Sequence, residues 1–107
     1  MVKFGKTCES KDLGGGVCRK ILAHGEPLMA VEVCFEKGAV GARHTHEHIQ
    51  IGYVLEGKFE LRIGDEKTVI EAGDSYYTEP HLPHGVVCLE RGRLLDVFTP
   101  ERKDFLP

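Results

Sequence analysis

The sequence predicts an all-β single domain, a closed or sandwiched antiparallel barrel of roughly eight to ten short strands. Three observations carry that expectation. A chain of 107 residues can bury one core and is too short for two. Thirteen glycines punctuate it between short β-prone runs. No stretch shows the sustained 3.6-residue apolar period of a long amphipathic helix.

The elements follow in order. Residues 1–16 read as an N-terminal leader strand or arm ending at Gly14-Gly15-Gly16, residues 17–99 as the barrel, and residues 100–107 as a tail that packs on the barrel or on a partner chain. In VCRKILA (17–23), Val17, Ile21 and Ala23 share a face with Arg19, and His24 to Pro27 form a turn. LMAVEVCFE (28–36) puts Met29, Val31, Val33 and Phe35 on one face with period two, before a turn at Lys37-Gly38. After YVLEG (53–57), Phe59, Leu61 and Ile63 alternate against Lys58, Glu60 and Arg62. Gly64 to Lys67 make a hairpin turn into TVIEA, and Ala72-Gly73-Asp74 turn the chain into SYYTE. Pro80 and Pro83 exclude a central strand where they stand. GVVCLE, a turn at Arg91-Gly92 and RLLDVFT (93–99) complete the sheet, and Pro100 suits the start of a helical turn in the tail.

Hydrophobic residues at 41% and charged residues at 29% are ordinary for a globular protein. A net charge of -3 with no basic block argues against nucleic acid as a general partner. The start MVKFGKTCES has no apolar h-region and no run reaches membrane-spanning length, so a cytoplasmic location and no membrane partner are expected. A reducing compartment and the lack of any C-x-x-C pair predict free thiols. Cys18, Cys34 and Cys88 are expected as small buried hydrophobes, and Cys8 as a free thiol in the leader.

The stretch HTHEHIQ (44–50) concentrates three imidazoles and a carboxamide at alternate positions. On a straight strand these share one face, with neighbours roughly 7 Å apart. His44 and His46 can therefore converge on an ion at nitrogen–metal distances of about 2.0–2.1 Å. Gln50 would stand roughly 13 Å from His46 on a straight strand, so it joins them only if the chain bends in between. Alone, this segment reads equally as a solvated histidine patch. His84, which follows the proline-stiffened turn EPHLPHG (79–85), supplies a third nitrogen from a non-adjacent strand and favours a metal site. His48 and His81 are expected beside such a site or at the surface, and His24 at the surface.

Asp96 is the other anomaly. In RLLDVFT it sits between Leu94 and Phe98 on a face that is otherwise apolar, so burial is expected. A buried carboxylate must be paired, hydrogen-bonded or protonated, and either a structural or a chemical role meets that requirement.

These residues carry a family resemblance. Gly38-(five residues)-His44-x-His46-(three residues)-Gln50-(six residues)-Gly57 is similar to the first motif of the cupin superfamily, with Gln in place of Glu. Gly73-Asp74…Pro80-x-x-x-His84 resembles the second, with Cys88 where an Asn often stands. The resemblance implies a small double-stranded β-helix, a jelly-roll-like barrel that is usually dimeric. It would hold one divalent metal through His44, His46, Gln50 and His84. GGVCRKIL, LMAVEVCFEKGAVG, GKFELRIGDE and DVFTPERKDFL extend the likeness to the cupins of pectin and alginate breakdown that linearise 4,5-unsaturated monouronates. That likeness implies a catalytic Asp96 with Phe98 and Arg102, a small anionic sugar as substrate, and a homodimer.

The implied chemistry is coherent. Three imidazoles and a neutral amide leave the full +2 on the ion, strengthening it as a Lewis acid towards a uronate carboxylate. A nitrogen-rich shell suits Ni, Zn, Fe, Co or Cu, with Mn also admissible, over Mg or Ca. Arg102, together with Arg19 or Arg43, would hold the anion, while Asp96 moves a proton and Phe98 packs on the sugar or shields Asp96. Tyr53, Tyr76 and Tyr77 read as packing residues. Two other functions use the same barrel: an iron-dependent oxygenase, which would consume oxygen, and a non-catalytic sugar-binding module, which would bind without conversion.

Overall fold

Alternating apolar and polar residues form eight antiparallel strands of one sheet that folds over on itself; the computed structural model describes residues 1–107. The strands are β1 (Ser10–Gly14), β2 (Val17–Gly25), β3 (Leu28–Phe35), β4 (Val40–His44), β5 (Ile49–Ile63), β6 (Glu66–Glu71), β7 (Ser75–Thr78) and β8 (His84–Thr99). Their order is β1-β2-β3-β8-β5-β6, with β4 on β8 and β7 on β5. No helix is long and apolar enough to cross a membrane.

The long strands β5 and β8 run antiparallel along each other and belong to both layers of the barrel. The first half of β5 pairs with β7 and the second with β6, while β8 pairs with β4 at its start and β3 at its end. Sequence punctuation suggested a break at Gly57 and a turn at Arg91-Gly92. Both strands instead run through these points and bend there together, with register shifts between Val54 and Phe59. Glycine is needed because backbone crosses backbone at the corner. A Cβ on Gly92 would fall 2.3 Å from the Glu56 carbonyl oxygen, and one on Gly57, at φ +86°, would fall 2.5 Å from that of Arg91.

The main core lies between the layers, where Phe35, Val54, Phe59, Leu61, Cys88 and Leu94 pack together. Phe35 and Phe59 meet edge to face with centroids 5.3 Å apart. Phe59 is fully buried, which contributes about 1.5–3 kcal/mol by removing its ring from water. Met29, Val31 and Phe98 form a second, smaller cluster towards the other end, next to the polar residues described below. The apolar faces expected for β3 and the end of β8 point inwards.

Several expectations need correction. An irregularity in the pairing between Ile21 and His24 turns Ala23 outwards, so it is exposed. Cys88 is core, but Cys18 and Cys34 are half-buried cross-strand partners, and all four thiols are free. The helical turn of the tail begins at Lys103 rather than Pro100, a single 3-10 turn over Lys103–Phe105.

Candidate metal centre

The chain leaves β4 at His44, crosses Thr45–His48 without regular structure, and re-enters the sheet at Ile49. This is the bend that a straight-strand reading of HTHEHIQ lacks, and it brings Gln50 back towards His46. His84 opens β8 directly opposite His44 in the register. One ligand atom from each of His44, His46 and His84 lies within 4.8 Å of the others, so these three side chains can hold a metal ion.

The backbone sets the ring orientations. The Nδ1–H groups of His44, His46 and His84 donate to the carbonyls of Ala42, His48 and Leu82 at 2.8, 2.9 and 2.9 Å. With Nδ1 protonated in neutral rings, each Nε2 keeps a free lone pair. Gln50 Oε1 stands 2.9 Å from His46 Nε2 and 3.1 Å from His84 Nε2. Its amide orientation is fixed at the other end, where Nε2 donates to Asp96 Oδ1 at 3.0 Å. Acceptors therefore face acceptors, an arrangement that a shared cation satisfies. Burial depresses the basicity of the rings, taking His84 down to about 4 and lowering His46, so both are neutral ligands near pH 7. His46 and His84 are buried and His44 is at the exposed rim, so the centre opens on one side.

Asp96 is buried behind Gln50, on the strand face shared with Leu94 and Phe98. Desolvation raises its pKa from 3.8 to about 7, against the opposing influence of Gln50, Arg102 and Tyr76. A cavity of about 170 Å³ includes Arg19, His44, Gln50, Asp96, Phe98 and Arg102 in its lining. Phe98 stands edge to face with the His46 ring at 5.7 Å.

The tail carries Arg102 to this cavity, and Glu101 anchors it. The Glu101 carboxylate takes a hydrogen bond from His24 Nδ1 at 2.8 Å, its backbone carbonyl lies 3.2 Å from His48 Nε2, and its N–H donates to the Glu26 carbonyl. His24 is thus a tail anchor, not the plain surface residue expected. His48 is buried beside the centre with Nδ1 unpartnered, and His81 is exposed in the preceding turn at φ 64°.

The three candidate anion-binding arginines differ. Arg43 turns away to the Gly64 carbonyl. Arg102 is held in two places by Asp104, at 3.0 and 2.8 Å. Arg19 forms no ion pair; its guanidinium lies over the Phe105 ring at 3.9 Å, and that of Arg102 lies 4.2 Å from the same ring centre. Phe105 and the partly buried Tyr76 are the members of this site that sequence reasoning missed or treated as packing.

Three comparisons with known proteins bear on the family of this chain. The cupin domain profile matches residues 31–98. The chain is 47% identical over 98 residues to the pectin degradation protein KdgF of Dickeya dadantii (strain 3937), covering 90% of this chain and 89% of that protein. The structure of KdgF from Halomonas sp. superposes with a TM-score of 0.95 at 42% identity, covering 99% of this chain and 98% of the other. An RmlC-like cupin from Shewanella frigidimarina NCIMB 400 superposes equally well at 44% identity, with 98% and 95% covered.

Proposed function

Because the chain belongs to the cupin family, we propose that its histidine–glutamine centre and buried acid linearise 4,5-unsaturated monouronates to 5-keto-4-deoxyuronates during pectin and alginate breakdown. The relative named for pectin degradation supports the pathway. One observation of the site carries the chemistry: Gln50 touches the two buried imidazoles at one end of its amide and Asp96 at the other.

His44, His46, Gln50 and His84 would hold one divalent transition metal, for which three neutral nitrogens and an amide oxygen are a fitting donor set. Ni, Zn, Fe, Co, Cu and Mn are all compatible with it. When bound, the ion supplies Lewis acidity towards the substrate carboxylate and its neighbouring oxygen.

The reaction is an isomerisation, so a proton removed must be returned. In the cyclic substrate the C1 hydroxyl loses its proton as the bond from C1 to the ring oxygen breaks, leaving an aldehyde at C1 and an enolate oxygen at C5. A proton arriving at C4 completes the ketone. Asp96 is suited to both transfers, since its carboxyl lines the cavity and burial pushes it up from the ordinary carboxylate range. Gln50 fixes the carboxyl through its amide N–H. Arg19, which forms no ion pair, holds the uronate carboxylate, and Arg102 closes the mouth beside it. Phe98, packed against His46, walls Asp96 from water.

The outer face of β5 and β7 bears Ile51, Tyr53, Leu55 and Tyr77, all exposed. Such an apolar strip across adjacent strands fits a second copy of this chain, making the protein a homodimer.

The test is an NMR time course on unsaturated galacturonate under anaerobic conditions, with metal-loaded and metal-stripped protein and metal analysis of both. Loss of the vinyl signal well above the spontaneous rate, restored by reloading and without oxygen uptake, is expected. A rate equal to the spontaneous one with loaded protein overturns the proposal.

A further inference from the structure

Strand register places one row of inward-facing positions across the floor of the site: Tyr76 on β7, Gly52 on β5 and Asp96 on β8. Neighbouring strands lie about 4.8 Å apart, so the outer two backbones stand about 10 Å from each other. The position between them has no side chain, and the Tyr76 ring lies in its place. A Cβ on Gly52 would fall 2.2 Å from Tyr76 Cζ and 2.6 Å from Tyr76 Oη. The ring thereby reaches across β5 towards Asp96 and Gln50, and all three side chains line the same cavity.

Packing alone does not require this arrangement. A larger residue at 52 and a smaller one at 76 would fill the same volume with no polar group in it. What the Gly52–Tyr76 pair adds is a hydroxyl-bearing ring directed across β5 at a buried carboxyl. Gln50 Nε2 alone holds one oxygen of Asp96 and leaves rotation of the carboxyl plane free; two donors fix the plane.

We infer that Tyr76 is a positioning residue, seated over Gly52 so that its hydroxyl holds the Asp96 carboxyl in the orientation that faces the cavity. The inference rests on the proton-carrying role proposed for Asp96. It assigns Gly52 a purpose as well: the glycine leaves open the path by which the hydroxyl reaches the acid.

The experiment uses metal-loaded protein and compares Tyr76→Phe, Gly52→Ala, the double variant and Asp96→Asn. Tyr76→Phe keeps the ring and removes one hydrogen bond to an acid. It should lower kcat by about 10- to 100-fold, the range for such a bond, while KM stays within about twofold. Bound metal per chain should match the native protein. Gly52→Ala pushes the ring aside and should show a similar fall in kcat, with no further fall in the double variant. If Gly52→Ala does not fold, Tyr76→Phe decides alone. Native kcat in Tyr76→Phe overturns the inference, as does loss of metal, which would mean that the hydroxyl acts by holding Gln50. Asp96→Asn separates the two readings. If Asp96→Asn keeps turnover, the role of Asp96 itself falls; if it is inactive while Tyr76→Phe is native, only the positioning role falls.

Discussion

Asp96→Asn should make the metal-free protein more stable and the metal-loaded protein inactive, and the gain in stability should depend on pH. The native carboxyl titrates at about 7 in the fold against an ordinary 3.8, with burial the main cause. The folded protein therefore binds this proton more tightly than the unfolded chain does. Its stability falls as pH rises from about 4 to about 7 and levels off above. The gap corresponds to about 4 kcal/mol in all, at about 1.4 kcal/mol per pH unit. Asparagine is nearly isosteric, still accepts from Gln50, and carries no charge at any pH. Its advantage over aspartate should be small at pH 4 and approach the full figure at pH 8. For a domain of this size that is at most about 15–30 °C in Tm. His46 and His84 also titrate as pH falls, but they are present in both proteins, so comparison at equal pH isolates residue 96. The assay is thermal unfolding by circular dichroism after chelation and dialysis, at pH 4 and pH 8. An equal gain at both pH values, or none at pH 8, refutes the assignment of a buried carboxylate as the strained group.

Three further outcomes follow. Arg19→Ala should raise KM for unsaturated uronate by about 10- to 100-fold with kcat nearly unchanged, because a charge-assisted contact to the anion is lost and the proton path is not; steady-state kinetics on the two parameters checks this, and an unchanged KM removes Arg19 from the anion site. If the proposed homodimer forms through the exposed apolar strip of β5 and β7, Tyr77→Asp puts a charge in it and should yield monomer in sedimentation equilibrium where the native protein is dimeric, whereas a dimer that persists in the variant places the interface elsewhere. Gln50→Glu should keep the metal, as judged by metal analysis, and lose most turnover; native kcat in that variant would show that the neutral amide is dispensable.

Much of this architecture is legible in the sequence because period two and turn chemistry are local signals. The inward faces of β3 and of the end of β8 follow from Met29, Val31, Phe35, Leu94 and Phe98 directly. The corner does not, because glycine signals both a reversal of the chain and a close crossing. Only the partner strand shows that Gly57 and Gly92 are the second case. Tyr76 is hidden for a related reason: its purpose appears when β7, β5 and β8 are laid side by side, and no window along the chain contains all three. The tail is similar, since Glu101 meets His24 across 77 positions of sequence. Cys18 and Cys34 looked like core by composition, yet they point outwards because their strand partners fix the opposite residues, Val17 and Phe35, inside.

The glutamine at position 50 then has two reasons to be neutral, and the second comes from the acid side. With glutamate there, two carboxylates would face each other over the 3.0 Å that now separates Gln50 Nε2 from Asp96 Oδ1. At an effective dielectric of about 20 the repulsion of two such charges is about 5 kcal/mol, enough to force the pair to share one proton as a unit. Asp96 would then either hold its proton too tightly to release it near neutrality or lose its separate identity as an acid. The amide avoids this by presenting opposite dipole ends in opposite directions. Its oxygen faces the imidazole lone pairs, where a cation is wanted, and its N–H faces the carboxyl, where a donor is wanted. Glutamate can serve the first neighbour and opposes the second. A single neutral side chain would thus let a metal centre and a buried acid stand in contact within one small barrel.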